Sequence, residues 1–346
     1  MKEPVEAAAK RLGLSPMKPL QIEAARTTSD LLAQMADTAF TGRTLGEAVE
    51  VAEAMIRDPD CKVVMTLSGA MTMAGMNLLI REMIDRGWVQ CLVSTGALVG
   101  HGMVESLGLT HYKADPDLPD DEYFKLRLNR VYDTLEPEEN LNDLEQAVRG
   151  VFDELAERLA GSPVGTAQIL RHLGESLPGV GVLQSAARAD VPIFIPALTD
   201  SELGLDLAVH TARQQRLGAA PLVYDAFIDL RAYRDLCLEV VSGNGKLGIF
   251  TIGGGVPRNW AQQVGPFIDV MNTRLEMDLP SIRFTYGVRI CPDPVHYGHL
   301  SGCTYSEGVS WGKFVPRAEG GRYAEVLLDA TVGWPLVARA LIDRGL

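Results

Sequence analysis

Cys61–Leu67 reads CKVVMTL and runs into Ser68-Gly69-Ala70, and Val89–Ser94 reads VQCLVS and runs into Thr95-Gly96-Ala97. Both runs are short, apolar and β-branched, without polar alternation. That pattern fits strands covered on both faces, as in a parallel sheet, and the small residues after each mark a tight turn at its carboxyl end. Upstream, Thr44–Arg57 (TLGEAVEVAEAMIR) opens with a Thr-x-x-Glu capping box and sets Leu45, Val49, Ala52 and Ile56 on one stripe, which predicts an amphipathic helix. A second helix follows the first turn and reaches Arg86. Further strands are expected at Val191–Ile195, Leu247–Ile252, Ser281–Tyr286 and Tyr323–Leu328, with helical patterns between them. Strands alternating with helices predict an α/β, doubly wound, mostly parallel sheet whose ligands lie beyond the carboxyl ends of the strands. One domain over 1–346 is the economical organisation, with 1–40 as an N-terminal extension and the acidic stretch 113–143 as a surface excursion.

Composition narrows the partners. The chain has 346 residues, and 32 basic against 45 acidic side chains give a net charge of −13. This opposes nucleic acid and anionic membrane surfaces and favours a cationic ligand. No stretch has the character of a signal peptide or the roughly 18 apolar residues of a membrane span, so a cytoplasmic protein is expected. Five scattered cysteines in apolar settings suggest core fillers rather than disulfides. His296, His299 and Asp293 only loosely imitate metal-ligand spacing, in a Gly/Pro-rich loop, and no metal is expected.

Three features carry chemistry. Gly253-Gly254-Gly255 follows the strand LGIFTI and precedes a helix, where bare backbone N–H groups can meet a phosphate or ribose, although a plain tight turn has the same composition. Lys313 in SEGVSWGKF lies beside Trp311 and six residues after Glu307; a desolvated amine there could form an imine, while a surface lysine lying across the indole fits equally. Asp200, just after a buried strand in IPALTDSELGLD, is placed either for function or to cap the next helix.

Taken in order, FTGRTLGEAVEVAEAMI, LVSTGALVGHG, LRHLGESL, VPIFIPALTD, GGGVPRNW, SEGVSWGK and VLLDATVGWPLV resemble the deoxyhypusine synthase family from about Leu45 to the C-terminus. The SWGK element is the most specific match, to the family's catalytic lysine motif. The resemblance implies a Rossmann-like NAD-binding fold, a homotetramer, and transfer of an aminobutyl group from spermidine through a lysine imine without net redox change. By motif matching it implies dinucleotide contacts at Ser68, Gly69, Thr95, Asp200, Gly254, Asp329 and Ala330. Lys313 becomes the imine-forming residue, and Ser301, Gly302, Glu307 and Trp311 become amine-pocket positions. His101 and Asn259 occupy matched substrate positions with altered chemistry.

The departures concern charge. Gly100 and His101 stand where spermidine-using members carry two glutamates, Leu205 takes the place of an acid with Asp206 one residue later, Leu300 replaces the acid of the GSDSG loop, and Asn259 replaces a histidine. Removing one partner of a buried amine costs on the order of 3–5 kcal/mol. Either Glu202, Asp206, Asp293, His101 or His299 substitutes, or the amine differs. The acceptor is then a lysine of the hypusine-bearing translation factor, or a free diamine in a homospermidine-synthase-like enzyme. A non-catalytic NAD-binding paralogue is the remaining alternative.

Overall fold

The computed structural model describes residues 4–346. Its main sheet contains β1 (Cys61–Leu67), β2 (Cys91–Val93), β3 (Ile193–Phe194), β4 (Lys246–Ile252), β5 (Phe284–Ile290) and β6 (Arg322–Val326), in the spatial order β6-β5-β4-β1-β2-β3. All neighbouring pairs are parallel, with Val64 level with Cys91 on one side and Ile249 on the other. The helices used below are α1 (Phe40–Arg57), α2 (Ala97–Ser106), α3 (Glu138–Leu159), α4 (Glu202–Leu217), α5 (Val256–Gln262), α6 (Val264–Leu275), α7 (Tyr305–Ser310) and α8 (Ala330–Asp343).

The continuous apolar runs have their reason in two cores. Val63, Met65 and Leu67 enter a cluster with Phe250, Ile252, Val288 and Trp334, whereas Val64 enters another with Val93, Ile249, Phe284 and Phe314. Successive side chains of β1 therefore serve opposite layers, and a polar residue on either side would lie in a core.

Two expectations change in detail. The first amphipathic helix starts at Phe40, and Thr44 lies within it, donating its hydroxyl to Thr41 O at 3.1 Å. The capping box belongs instead to Thr27 and Asp30, which open the helix Thr28–Ala36. That helix is part of the body rather than an extension: Leu32 is buried, and Arg344 Nε donates to Ser29 Oγ at 2.9 Å. Its backbone passes so close to α1 that a Cβ on Gly46 would lie 2.4 Å from Leu32 O.

The acidic stretch 113–143 is also more ordered than its composition suggests. Tyr112–Lys113, Leu128–Val131 and Thr134–Pro137 form a small antiparallel sheet, and α3 begins at Glu138. Leu135 and Glu136 are both buried, so this short strand is covered on both faces, an apolar side chain on one and a charged one on the other.

Candidate active site

The turns after β1, β2 and β4 sit side by side at the carboxyl edge of the sheet. Ser68 N donates to Ile252 O at 3.1 Å, Gly253 N to Ile290 O at 2.9 Å, and Gly69 N to Thr95 Oγ1 at 3.2 Å. A Cβ on Gly69 would fall 2.4 Å from Thr95 Oγ1, and one on Gly96 1.9 Å from Ser201 Oγ. The small residues are thus required by turn packing upon turn. Gly253 and Gly255 adopt φ of 76° and 80°, a region that favours glycine. Gly254 is needed for a different reason: its Cβ would lie 2.2 Å from Ser301 Cβ.

Asp329 caps α8, accepting from Thr331 N at 2.9 Å, with Ala330 buried behind it. Asp200 is exposed and does not cap α4; Ser201 does, accepting from Gly204 N at 3.3 Å. A cleft of about 990 Å³ runs past Ala70, Met71, His111, Asp329 and Thr331.

Lys313 belongs to a second group. Its main chain pairs with the first residue of β5, since Phe284 N donates to Lys313 O at 2.9 Å, and its ammonium donates to Asn259 Oδ1 on α5 at 3.2 Å. Only 8% of Lys313 is exposed, while Trp311, whose ring centroid is 5.9 Å from Nζ, is 63% exposed. The exposed indole covers only one side of the amine, while Gly265 of α6 lies close against the backbone of Gly312 and Lys313. Burial lowers the pKa of Lys313, opposed by Cys303 and Glu307 and aided by the Arg258 guanidinium. A neighbouring cation and desolvation both favour the neutral, nucleophilic amine.

Arg258 was legible only as part of GGGVPRNW and was not singled out by sequence. It is 2% exposed, reaches Leu300 O at 3.5 Å and Ser301 O at 3.4 Å, and covers the Tyr305 ring at 5.3 Å. Its Nε and Nη2 have no hydrogen-bond partner. Ser301 also contacts the Asp293 carboxylate through Oγ and receives Arg289 Nη1 on its carbonyl at 2.5 Å, so the Ser301-Gly302 loop is held between two arginines and the triple-glycine turn. Glu307 lies exposed in the first turn of α7.

The other expected positions lie elsewhere. His101 on α2 contacts Glu136, with His111 next to it, rather than the lysine group. Leu205 and Leu300 are 62% and 47% exposed. Glu145, Glu202 and Asp206 share a cavity of about 220 Å³ with Leu205, and burial, reinforced by Glu145 and Glu202, raises Asp206 to a pKa of about 6. His296 and His299 pack edge-on against Tyr297. The cysteines are free, and burial pushes Cys61 and Cys237 up to about 12, consistent with inert fillers.

The family model for deoxyhypusine synthase matches residues 30–341. The chain belongs to the deoxyhypusine synthase family. A Methanosarcina mazei protein assigned as deoxyhypusine synthase 2 is 35% identical over 324 residues, covering 92% of this chain and 88% of that one. A deoxyhypusine synthase-like protein of Coxiella burnetii is 30% identical over 313 residues, covering 88% and 83%. A crystal structure of an Entamoeba histolytica protein assigned as a deoxyhypusine synthase shares the fold, with a TM-score of 0.61 at 16% identity, covering 94% of this chain and 97% of that chain. Membership places the chain among transferases. Among the described residues no helix is long and apolar enough to cross a membrane.

Proposed function

We propose that this protein transfers an aminoalkyl group from a polyamine, or another cationic amine, to an acceptor amine through an imine on Lys313, with NAD as its cofactor. The observation that carries the reading is the buried Lys313 amine, held by Asn259 and pushed toward its neutral form by burial and by Arg258.

The residues at the sheet edge fit a dinucleotide. The strand order reverses between β1 and β4, where such sheets bind ligands, and the turns at Ser68-Gly69 and Gly253–Gly255 flank that crevice. A Cβ on Gly255 would meet nothing within 4 Å, leaving backbone accessible at the start of α5, and the Asp329 carboxylate stands at the mouth of the cleft. NAD bound there would supply reversible hydride acceptance from the amine-bearing carbon of the donor.

The chain's own residues perform the transfer. The neutral Nζ of Lys313 adds to the oxidised carbon of the donor; the bond to the leaving amine breaks and that amine departs with a proton. The acceptor amine then displaces Nζ, returning the lysine and leaving a product imine, for which bound NAD would supply the reducing hydride it had taken up. Asn259 Oδ1 accepts an N–H of Lys313 and so directs the nitrogen lone pair elsewhere. Because the acids expected at 101, 205 and 300 are absent, we infer an amine specificity different from spermidine-using relatives, with Glu202, Asp206 and Glu145 as the nearest replacement for a cation site. The acceptor is a lysine of the hypusine-bearing translation factor or a free diamine. The burial of Lys313 favours an enzyme over a non-catalytic paralogue. The exposure of Trp311 beside the lysine supports a homotetramer in which a second copy covers this face.

Wild type incubated with NAD, a panel of amines (spermidine, putrescine, agmatine, homospermidine) and cyanoborohydride should gain one fragment mass on the peptide containing Lys313. Lys313→Arg should bind NAD, gain no mass and transfer nothing. Near-normal turnover by that variant would refute the lysine imine.

A further inference from the structure

We propose that His101, His111 and Glu136 form a binding site for a zinc-type divalent metal ion, apart from the Lys313 group. The three side chains come from separate elements: His101 from α2, His111 from the loop after it, and Glu136 from the strand Thr134–Pro137. Their ligand atoms all lie within 4.8 Å of one another, and no other three His, Cys, Asp or Glu side chains among the described residues meet that condition.

One distance in the cluster is not that of an ordinary hydrogen bond. His101 Nδ1 is hydrogen-bonded to Glu136 Oε2, closer than two ligands of one ion lie, and would exchange that bond for the ion. His111 Nε2, however, stands 3.6 Å from Glu136 Oε1, too far for a good hydrogen bond. Two ligands with bonds of 2.0–2.1 Å to one tetrahedral ion lie roughly 3.4 Å apart, close to that separation. Both ring nitrogens of His111 and Glu136 Oε1 are buried without a hydrogen-bond partner. A neutral imidazole has one donor and one acceptor, so leaving both unused is unfavourable; a cation between Nε2 and Oε1 would engage two of the three orphaned atoms.

The donor set also selects the ion. Two imidazoles and one carboxylate suit zinc and neighbouring first-row divalent ions, whereas magnesium and calcium prefer all-oxygen shells. Three protein ligands leave a further position for water or a substrate donor. Since His111 also lines the large cleft, the ion would tie the small antiparallel sheet to α2 at that wall.

Protein freed of metal by chelation should bind one Co²⁺ per chain, with the visible absorption of a low-symmetry site, and Zn²⁺ should displace it. His111→Ala and Glu136→Gln should weaken binding by at least the roughly 10–100-fold typical of losing an outer-shell partner, whereas His296→Ala should leave it unchanged. If either cluster variant loses its circular-dichroism signature, the wild type decides alone: Co²⁺ should shift the imidazole resonances of two histidines. Absence of stoichiometric Co²⁺ binding by folded wild type, equal affinity in folded His111→Ala and Glu136→Gln, or any other number of shifted histidines would overturn the proposal.

Discussion

Lys313 and Glu136 are both buried ionisable groups, and their surroundings drive them in opposite directions. Burial, aided by a nearby guanidinium, lowers the pKa of Lys313, whose hydrogen-bond partner is a neutral amide. Burial would raise Glu136, but the hydrogen bond from His101, reinforced by the nearby His111 imidazole, prevails and holds its carboxyl near 2. Burial alone therefore does not predict charge: one site favours the neutral form of an amine, the other holds an anion facing two imidazoles. The first arrangement suits covalent chemistry and the second suits a cation.

The comparison breaks most visibly at the lysine. Lys313→Arg preserves charge and removes the nucleophile, so transfer measured with the correct amine should fall at least about 10³-fold. Arg258→Met tests what lowers the pKa of that lysine. Without the guanidinium the pKa of Lys313 should rise toward its ordinary 10.5, and the rising limb of the pH–rate profile should move to higher pH. Each unit of that shift lowers the neutral fraction about tenfold at pH 7. An unmoved limb would show that burial alone tunes the amine.

At the sheet edge the glycines invite a sharper distinction between packing and ligand binding. Gly254→Ala places a methyl group against Ser301, and overpacking of this kind costs on the order of 1–3 kcal/mol. Denaturant unfolding without NAD should register that loss. If stability were unchanged and only NAD affinity fell, the residue would serve the cofactor and not the Ser301 loop.

These contrasts also show what could be read from residues alone. β1, β2 and β4 were legible because each is buried on both faces and apolar along most of its length, the buried Thr66 and Thr251 satisfying each other's hydroxyls. The Thr44-x-x-Glu47 pattern misled because capping chemistry is local, and the same letters occur inside a helix whose start is decided by packing against Thr28–Ala36. Lys313 stood out through its motif, but its bond to Asn259 is a long-range contact, as is the approach of Ser301 to Gly254. Glu136 was hidden in LEPEEN, where acidic neighbours suggest a solvated loop; only the hairpin register turns it inward toward His101 and His111.

The smallest expected effect concerns the acidic pocket beside α4. Asp206 titrates near 6 instead of 3.8 because burial and the charges of Glu145 and Glu202 disfavour its ionised form. Its contribution to stability is therefore full below pH 3.8, where folded and unfolded chains both hold the proton, and is lost as pH rises through 6. Asp206→Asn should flatten that part of the stability–pH curve and be more stable than wild type above pH 6 by on the order of 1 kcal/mol, because solvent reaching the pocket screens the repulsion. A polycation bound among these three carboxylates would reverse the sign, since it favours the ionised form. Spermidine, or whichever amine the panel identifies, should then raise the melting temperature of wild type more at pH 7 than at pH 5, and raise that of Asp206→Asn less than wild type at pH 7. Equal stabilisation of both proteins at both pH values would mean that the amine binds elsewhere and that the three acids do not replace the carboxylates missing at 101, 205 and 300.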